Sequence, residues 1–441
     1  MNLRNYALVT GAYWAFTITD GALRMLVLLY FNGLGYSPVA LAFLFLAYEF
    51  MGVVTNLLGG WVGSRTGLGL TLRAGLALQV VALIALTFQQ VTWAEWVSVV
   101  FVMAVQALSG IAKDLTKMSS KSAVKFVAGS EDGALFRLVA ILTGSKNALK
   151  GVGFFIGAAL LASIGFDAAL WVLATLVAAA LAAVMLMLNE DIGKSKRKAP
   201  LRSILTKSAG VNRLAAARVF LFASRDIWFV VALPVFLETE LDWSFYGIGG
   251  FLAAWIIGYG AVQSIAPRIL RSSVSDVQAA RTWSLALGVV AAAIAGLVAA
   301  DIAVTAAIVV GLVVFGIVFA VNSSLHSYLI LAYADDDAVA TDVGFYYSAN
   351  AVGRLVGTLL SGLLYLWGGL PVALWGATAF VAITWLLTLR LPDLDDRPSQ
   401  ATTAAISSPL SPSADYRRTR NIHGEGEAIS RRLIRRGKAS G

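Results

Sequence analysis

The chain has 441 residues, 59% of them hydrophobic and only 13% charged, with a mean hydropathy of +0.78. That balance excludes a soluble globular domain and makes membrane spans the default reading. Cysteine is absent and the only histidines are His326 and His423, which excludes disulfides, thiolate metal sites and histidine-based metal or catalytic clusters, so neither a metal nor a cofactor is expected.

The opening MNLRNYALVTGAYWAF holds one Arg before a long apolar run that contains Asp20 and Arg24. It lacks a small-residue cleavage site and is expected to be a retained first span. Apolar stretches of spanning length then follow in chain order: 6–31, 38–62, 68–89, 94–117, 136–162, 166–188, 214–237, 244–269, 282–300, 302–332, 341–367 and 371–391. The expected fold is thus an all-α membrane protein with twelve transmembrane helices. Its predicted parts are a six-helix half over 1–188, a basic linker over 189–213, a second six-helix half over 214–391 and a disordered tail over 392–441. The tail is rich in Ser, Thr, Pro and Arg, with Arg431, Arg432, Arg435 and Arg436 suited to anionic lipid.

Lys and Arg fall on alternate loops. One set holds Arg4, Arg65, Arg73, Lys121 and Lys125, then a dense run from Lys194 to Arg213, and then Arg268, Arg271, Arg281 and Arg390. The opposite loops, among them Asn32–Ser37, Gln90–Glu95 and Glu238–Asp242, hold none. The positive-inside rule places both termini in the cytoplasm of a bacterial inner membrane. The net charge of +9 is then an orientation signal and a tail property, and no nucleic-acid partner is expected.

The basic linker divides two groups of six spans, and the groups repeat. Phe16-Thr-Ile-Thr-Asp20 with Leu34-Gly-Tyr-Ser37 parallels Phe222-Ala-Ser-Arg-Asp226 with Leu241-Asp-Trp-Ser244, at an offset of 226 − 20 = 206. Phe45-Leu-Ala47 parallels Phe251-Leu-Ala253 at the same offset, and Ser145-Lys-Asn-Ala148 parallels Ser348-Ala-Asn-Ala351 at 348 − 145 = 203. Three matches at nearly one offset argue for duplicated parallel halves.

Ionisable residues at mid-span cost about 2.5–3.5 kcal/mol each on insertion scales and demand a partner or a function. Arg24, Lys146, Lys150, Arg225 and Arg354 lie at that depth, against the acids Asp20, Glu49 and Asp226. Asp20 and Arg24, four apart, can pair on one helical face, whereas the adjacent Arg225 and Asp226 are expected to seek partners on other helices. Lys146 and Lys150 share a face with Asn147 close by, and two ammonium groups one turn apart repel unless an anion visits. Asp342, Tyr346, Asn350 and Arg354 form an i, i+4 ladder suited to line a cavity. The expected site for a small anion is therefore Arg24, Lys146, Asn147, Lys150, Arg225, Tyr346, Asn350 and Arg354, with Asp20, Glu49 and Asp226 as proton-coupling candidates. The competing reading makes these charges helix-packing glue. Lys113, Asp114 and Lys117 can either snorkel to the interface or serve the site, and His326 is read as a packed polar residue.

Between spans two and three, Gly60-Trp-Val-Gly-Ser64-Arg65-Thr-Gly67 resembles the cytoplasmic loop signature of the major facilitator superfamily, with Ser64 where an acid is expected. No G-x-x-x-x-G-K-[ST] phosphate loop is present, so transport is expected to be secondary or driven by a partner, and no ATP hydrolysis or other enzyme activity is expected of this chain. The stretches 1–30, LSGIAKDLTKMSSKSAVK (108–125), ILTGSKNALKGVGFFIG (141–157) and 222–236 resemble the organoarsenical efflux permeases of the ArsJ type within that superfamily, over about residues 1–391. The resemblance implies a monomeric exporter of 1-arseno-3-phosphoglycerate that confers arsenate resistance, partnered functionally with glyceraldehyde-3-phosphate dehydrogenase, which makes the ester. The alternatives are a carrier of another organophosphate or anionic metabolite and, more distantly, a multi-pass membrane enzyme.

Overall fold

A computed structural model describes residues 3–66, 68–127, 134–188, 207–270, 276–334 and 339–393. The chain divides into two units, Met1–Pro392 and Asp393–Gly441. The tail from residue 394, linker residues 189–206, Gly67 and the side chains of Gly60, Ser64 and Arg65 lie outside the described residues.

All described regular elements are helices, as hydrocarbon requires of a chain that must satisfy its own backbone groups. They are α1 (Leu3–Gly33), α2 (Pro38–Thr66), α3 (Leu68–Leu86), α4 (Glu95–Val127), α5 (Ala134–Ile164) and α6 (Phe166–Met187), then α7 (Ala209–Phe229), α8 (Ala232–Thr239), α9 (Phe245–Ile269), α10 (Asp276–Ala299), α11 (Val304–Tyr333) and α12 (Val339–Thr388). Most predicted spans match them to within a few residues, but α4 runs ten residues past the predicted end at 117 and α10 starts six residues before 282, and two further differences lie at breaks. Span seven starts earlier, at Ala209 behind the capping hydroxyl of Ser208, and consists of α7 and α8 in tandem. Pro234 explains the break, because its ring excludes the carbonyl of Val230 from a helical position. The freed amides of Val231 and Ala232 both donate to Ser361 Oγ at 3.1 Å.

Among the described residues eleven helices are long and apolar enough to cross a membrane, and the last of them, Asp342–Thr388, has 47 residues. At 1.5 Å per residue it is about 70 Å long, more than twice a hydrocarbon core of roughly 30 Å. Its backbone leaves the helix at Gly368 and Gly369, where Gly369 takes φ 66°, and Pro371 follows. Two legs on either side of this break give the twelve predicted crossings.

The repeat is visible in the backbone. Gly35 and Asp242 both adopt positive φ, 84° and 51°. Ser37 and Ser244, two residues on in each case, cap α2 and α9 by accepting the amides of Ala40 and Gly247 at 3.2 and 3.3 Å. Within the first half α1 packs on α5 and α6, and α4 on α2 and α3; within the second α7 packs on α12, and α10 on α11 and α12. The halves meet where α2 packs on α12 and α5 on α9. Because α9 repeats α2 and the first leg of α12 repeats α5, the two contacts exchange under the pseudo-symmetry.

Glycine permits the tightest crossings. A Cβ on Gly153 or Gly157 of α5 would strike the backbone of Ile18 or Ala22 in α1, and one on Gly353 or Gly357 of α12 would strike Val219 or Ala223 in α7. Gly157→Val is therefore expected to destabilise the fold by about 1–3 kcal/mol, whereas Gly258→Ala, with nothing within 4 Å of its Cβ position, should be neutral. Thermal unfolding of both variants in detergent checks the contrast.

Candidate functional site: a basic cavity between the halves

A cavity of about 290 Å³ lies between the halves, walled by α1, α2, α4 and α5 on one side and by α7, α9, α11 and α12 on the other. Eight bases line it: Arg24, Lys113, Lys117, Lys146 and Lys150 from the first half, and Arg218, Arg225 and Arg354 from the second. Four acids face them, Asp20, Glu49, Asp114 and Asp226. The wall thus carries four more basic than acidic side chains.

The centre is a chain of alternating charges. Glu49, 1% exposed, accepts from Arg24 Nη1 at 3.0 Å and pairs with Arg354 Nη2. Arg354 Nε lies 3.4 Å from Asp226 Oδ2, and Asp226 Oδ1 accepts from Arg225 Nε at 2.6 Å. Beside this chain, Lys150 Nζ stands 3.7 Å from Asp20, which also accepts from the Tyr48 hydroxyl at 2.5 Å. The Glu49–Arg354 pair joins α2 to α12 and so crosses from one half to the other.

Two expectations about pairing, that Asp20 pairs with Arg24 and that Arg225 and Asp226 pair only with other helices, are corrected. Arg24 turns to Glu49 on α2 and not to Asp20, because Lys150 and Tyr48 reach Asp20 from neighbouring helices. Arg225 does pair with the adjacent Asp226: its long arm folds back along the helix to reach the carboxylate. The α12 ladder is likewise only half on the cavity wall. Asn350 and Arg354 line it, whereas Asp342 is buried against Lys207 at 2.8 Å and Tyr346 is fully buried with its ring 4.9 Å from the Arg218 guanidinium. The neighbouring Tyr347 takes the lining position. Steps of four on a 3.6-residue helix advance about 40° each, so Asp342 and Arg354 lie roughly 120° apart.

Asn147 and Lys146 line the cavity as expected. Asn147 Nδ2 donates to Gln263 Oε1 across the halves at 3.1 Å, and Gln263 passes the contact to Ser323 Oγ at 3.2 Å. The α4 bases turn inward and do not snorkel outward. Lys113 Nζ sits 4.0 Å over the Tyr48 ring, and Lys117 donates to Asn56 at 3.1 Å and pairs with Asp114 at 3.3 Å. His326 is fully buried off the cavity wall.

The lining residues sit in the middle of the spans and in the part nearer the face that carries the N-terminus: 13–24 on α1, 49–56 on α2, 146–154 on α5 and 255–263 on α9. At the end of the lining farther from that face stand the aromatic rings of Phe154, Phe229 and Trp255, with Phe154 and Phe229 centroids 6.1 Å apart across the halves. Beyond them Asn32 Nδ2 donates to Glu238 Oε2 at 2.7 Å, tying α1 to α8.

A family model described as Major Facilitator Superfamily matches residues 7–341 and 214–434. The chain belongs to the major facilitator superfamily. No curated protein matches it by sequence. Among solved structures it is similar to a POT family transporter in complex with a thioalcohol-conjugated peptide, at 13% identity over 92% of this chain and 97% of that one, with a TM-score of 0.70. A POT family transporter in complex with 5-aminolevulinic acid matches over the same shares, at 13% identity and a TM-score of 0.71. A third structure, of a proton-dependent oligopeptide transporter, gives 15% identity over 88% and 97%, with a TM-score of 0.64. These likenesses show the fold. In this member of the superfamily, a secondary transporter, the cavity lies between two six-helix halves.

Sequence reasoning missed Arg218, which lines the cavity from α7. Its signal was present: Arg218, Phe222 and Arg225 follow i, i+4, i+7 spacing and share one helical face.

Removing Glu49 leaves two arginines without their shared carboxylate, and breaking a buried pair costs about 3–5 kcal/mol. Glu49→Gln should therefore lower the unfolding temperature far more than Lys146→Gln, and adding Arg354→Gln to Glu49→Gln should recover part of the loss. Tryptophan-fluorescence melts of the purified variants read the difference.

Proposed function

We propose that the chain is a secondary exporter of a small organic polyanion in a bacterial inner membrane, with both termini cytoplasmic, and that its cargo is 1-arseno-3-phosphoglycerate. The observation that carries the reading is the excess of four basic side chains on the cavity wall, drawn from both halves. Glue between helices needs balanced charge; an excess is accommodated when an anion enters. A zwitterion such as 5-aminolevulinic acid, bound by one structural neighbour, would leave that excess unmatched. A cargo with a phosphate at one end and an arsenate at the other spreads its charge as the cavity spreads its bases, and arginine grips such tetrahedral groups through two parallel hydrogen bonds.

The conformation agrees with export. With the basic loops in the cytoplasm, the lining residues nearer the N-terminal face would lie toward the cytoplasm, and the Phe154, Phe229 and Trp255 rings and the Asn32–Glu238 contact would lie toward the other side. The cytoplasmic face is where glyceraldehyde-3-phosphate dehydrogenase would supply the ester. Cargo oxyanions compete with Glu49 and Asp226 for Arg354 and with Asp20 for Lys150. The displaced carboxylates are the groups available to take up protons, and loss of the Glu49–Arg354 pair frees α2 from α12. The absence of cysteine fits a pentavalent cargo, since trivalent arsenic favours thiolates.

A sensitive host carrying the permease and the dehydrogenase should resist arsenate, whereas the permease alone should give no arsenite resistance. Arsenite resistance from the permease alone would overturn the assigned cargo. In everted vesicles, Lys146→Gln should abolish organoarsenical uptake at unchanged membrane abundance, because removing a mid-span charge lowers the insertion cost, and Arg354→Gln should abolish uptake per inserted molecule while lowering abundance through its lost pairs with Glu49 and Asp226. Uptake at the wild-type rate by well-inserted variants would return these bases to a packing role.

A further inference from the structure

The eight cavity bases differ in what already holds them. Arg24, Arg225, Arg354, Lys117 and Lys150 each contact a carboxylate. Arg218 does not. It is 4% exposed, and its two hydrogen bonds go to neutral acceptors: Nε to Asn350 Oδ1 at 3.2 Å and Nη1 to the carbonyl of Ser323 at 3.1 Å. Its remaining nitrogen, Nη2, has no hydrogen-bond partner among the described residues and is not among the atoms sealed from solvent. The guanidinium is held in place by the Phe222 ring at 4.0 Å and the Tyr346 ring at 4.9 Å. A full charge is thus kept in a fixed orientation, anchored from behind, with one N–H edge left to the cavity.

Ser323, fully buried beside the same cavity, has a hydroxyl that can turn a second donor toward it. Its Oγ accepts from the Tyr259 hydroxyl and from Gln263 Nε2, both at 3.2 Å. Both lone pairs are then used, and the Ser323 O–H remains to donate. Two donors approach from different helices, α7 and α11, with the charge on one of them. That arrangement suits an acceptor whose oxygens point in three dimensions and which carries nearly two negative charges, a phosphoryl or arsenyl group, better than it suits a flat monovalent carboxylate.

We infer that Arg218, with the Ser323 hydroxyl, binds the tetrahedral oxyanion end of the cargo and sets the preference for a phosphorylated anion over a simple carboxylate. This rests on the proposed organic-anion cargo and names the residues that read one end of it. Lys113 also lacks a carboxylate at ion-pair distance among the described residues, but the Tyr48 ring already covers its ammonium. The paired arginines reach cargo only by giving up Glu49 or Asp226, so they report net negative charge. Arg218 meets an oxyanion without first losing a carboxylate partner.

The probes are 3-phosphoglycerate and glycerate, which differ only in the phosphoryl group, titrated by calorimetry against the full chain in lipid nanodiscs. Wild type should prefer 3-phosphoglycerate by about tenfold or more. Arg218→Gln should reduce that ratio to near one while glycerate affinity holds, and Arg354→Gln should weaken both ligands and keep the ratio. No preference in wild type overturns the organophosphate reading and this inference with it. A wild-type preference that survives Arg218→Gln overturns the inference alone. Should Arg218→Gln fail to fold, Asn350→Asp sets a carboxylate against Arg218 Nε and neutralises the guanidinium in place. The ratio should then collapse in the same way, and a retained ratio refutes the role of Arg218.

Discussion

The structure depends on the condition that a charge buried in hydrocarbon must meet an opposite charge on another helix, and Glu49 is where that condition is met most fully. Its carboxylate holds Arg24 of α1 and Arg354 of α12, and Arg354 reaches on to Asp226 of α7. Four helices from both halves are tied through one acid and one base. Such contacts need helix axes close enough for side chains to meet, and the glycine crossings at Gly153, Gly157, Gly353 and Gly357 supply that proximity. Packing and electrostatics are therefore one constraint: widening the α7–α12 crossing would draw Arg354 away from Asp226.

Duplication accounts for part of the charge network and divergence for the rest. The Asp20–Lys150 pair joins the first and fifth spans, and the Asp226–Arg354 pair joins the seventh and eleventh. The offsets are 226 − 20 = 206, equal to that of the sequence repeat, and 354 − 150 = 204, one residue beyond the 203 found between these spans. An acid–base pair thus joins the corresponding spans in both halves, with a different base in each. Lysine, a compact point charge, contacts a single carboxylate. Arginine, with a forked guanidinium, contacts two, and the second belongs to the other half. The replacement turns a pair internal to one half into a clasp between halves.

The spans were legible because a run of twenty apolar residues has few alternatives in water, and even the break at Gly368–Gly369 fell between two predicted spans. The break at Val230–Val231 was not marked, although Pro234 signals it, because hydropathy runs on unchanged through a proline kink. Of the site, the depth of Arg24, Lys150, Arg225 and Arg354 was legible from insertion cost, but their partners were not. Pair geometry along one helix favoured Asp20 with Arg24. The distances to α2 and α5, which decided otherwise, are tertiary facts. Tyr346 was placed on the wall by counting in fours, which ignores the drift of a 3.6-residue turn. Arg218 was passed over because it follows closely on the basic linker, where an arginine reads as an orientation signal. What distinguishes it is the shared face with Phe222 and Arg225.

Under the proposed orientation, the basic excess of the cavity bears on energetics as well as recognition. For an anion exporter in a membrane that is negative inside, each negative charge moved outward releases about 2.3 kcal/mol per 100 mV. A doubly charged cargo thus leaves downhill in the electrical field with no coupling ion. The barrier on the proposed route is then the entry of a polyanion into a low-dielectric cavity rather than the direction of the gradient. The basic excess opposes that barrier, and it stands on the side from which the cargo arrives. The far end, where aromatic rings and the Asn32–Glu238 contact stand in place of the bases, offers an anion nothing to hold it once the halves have rocked, so the same asymmetry favours release.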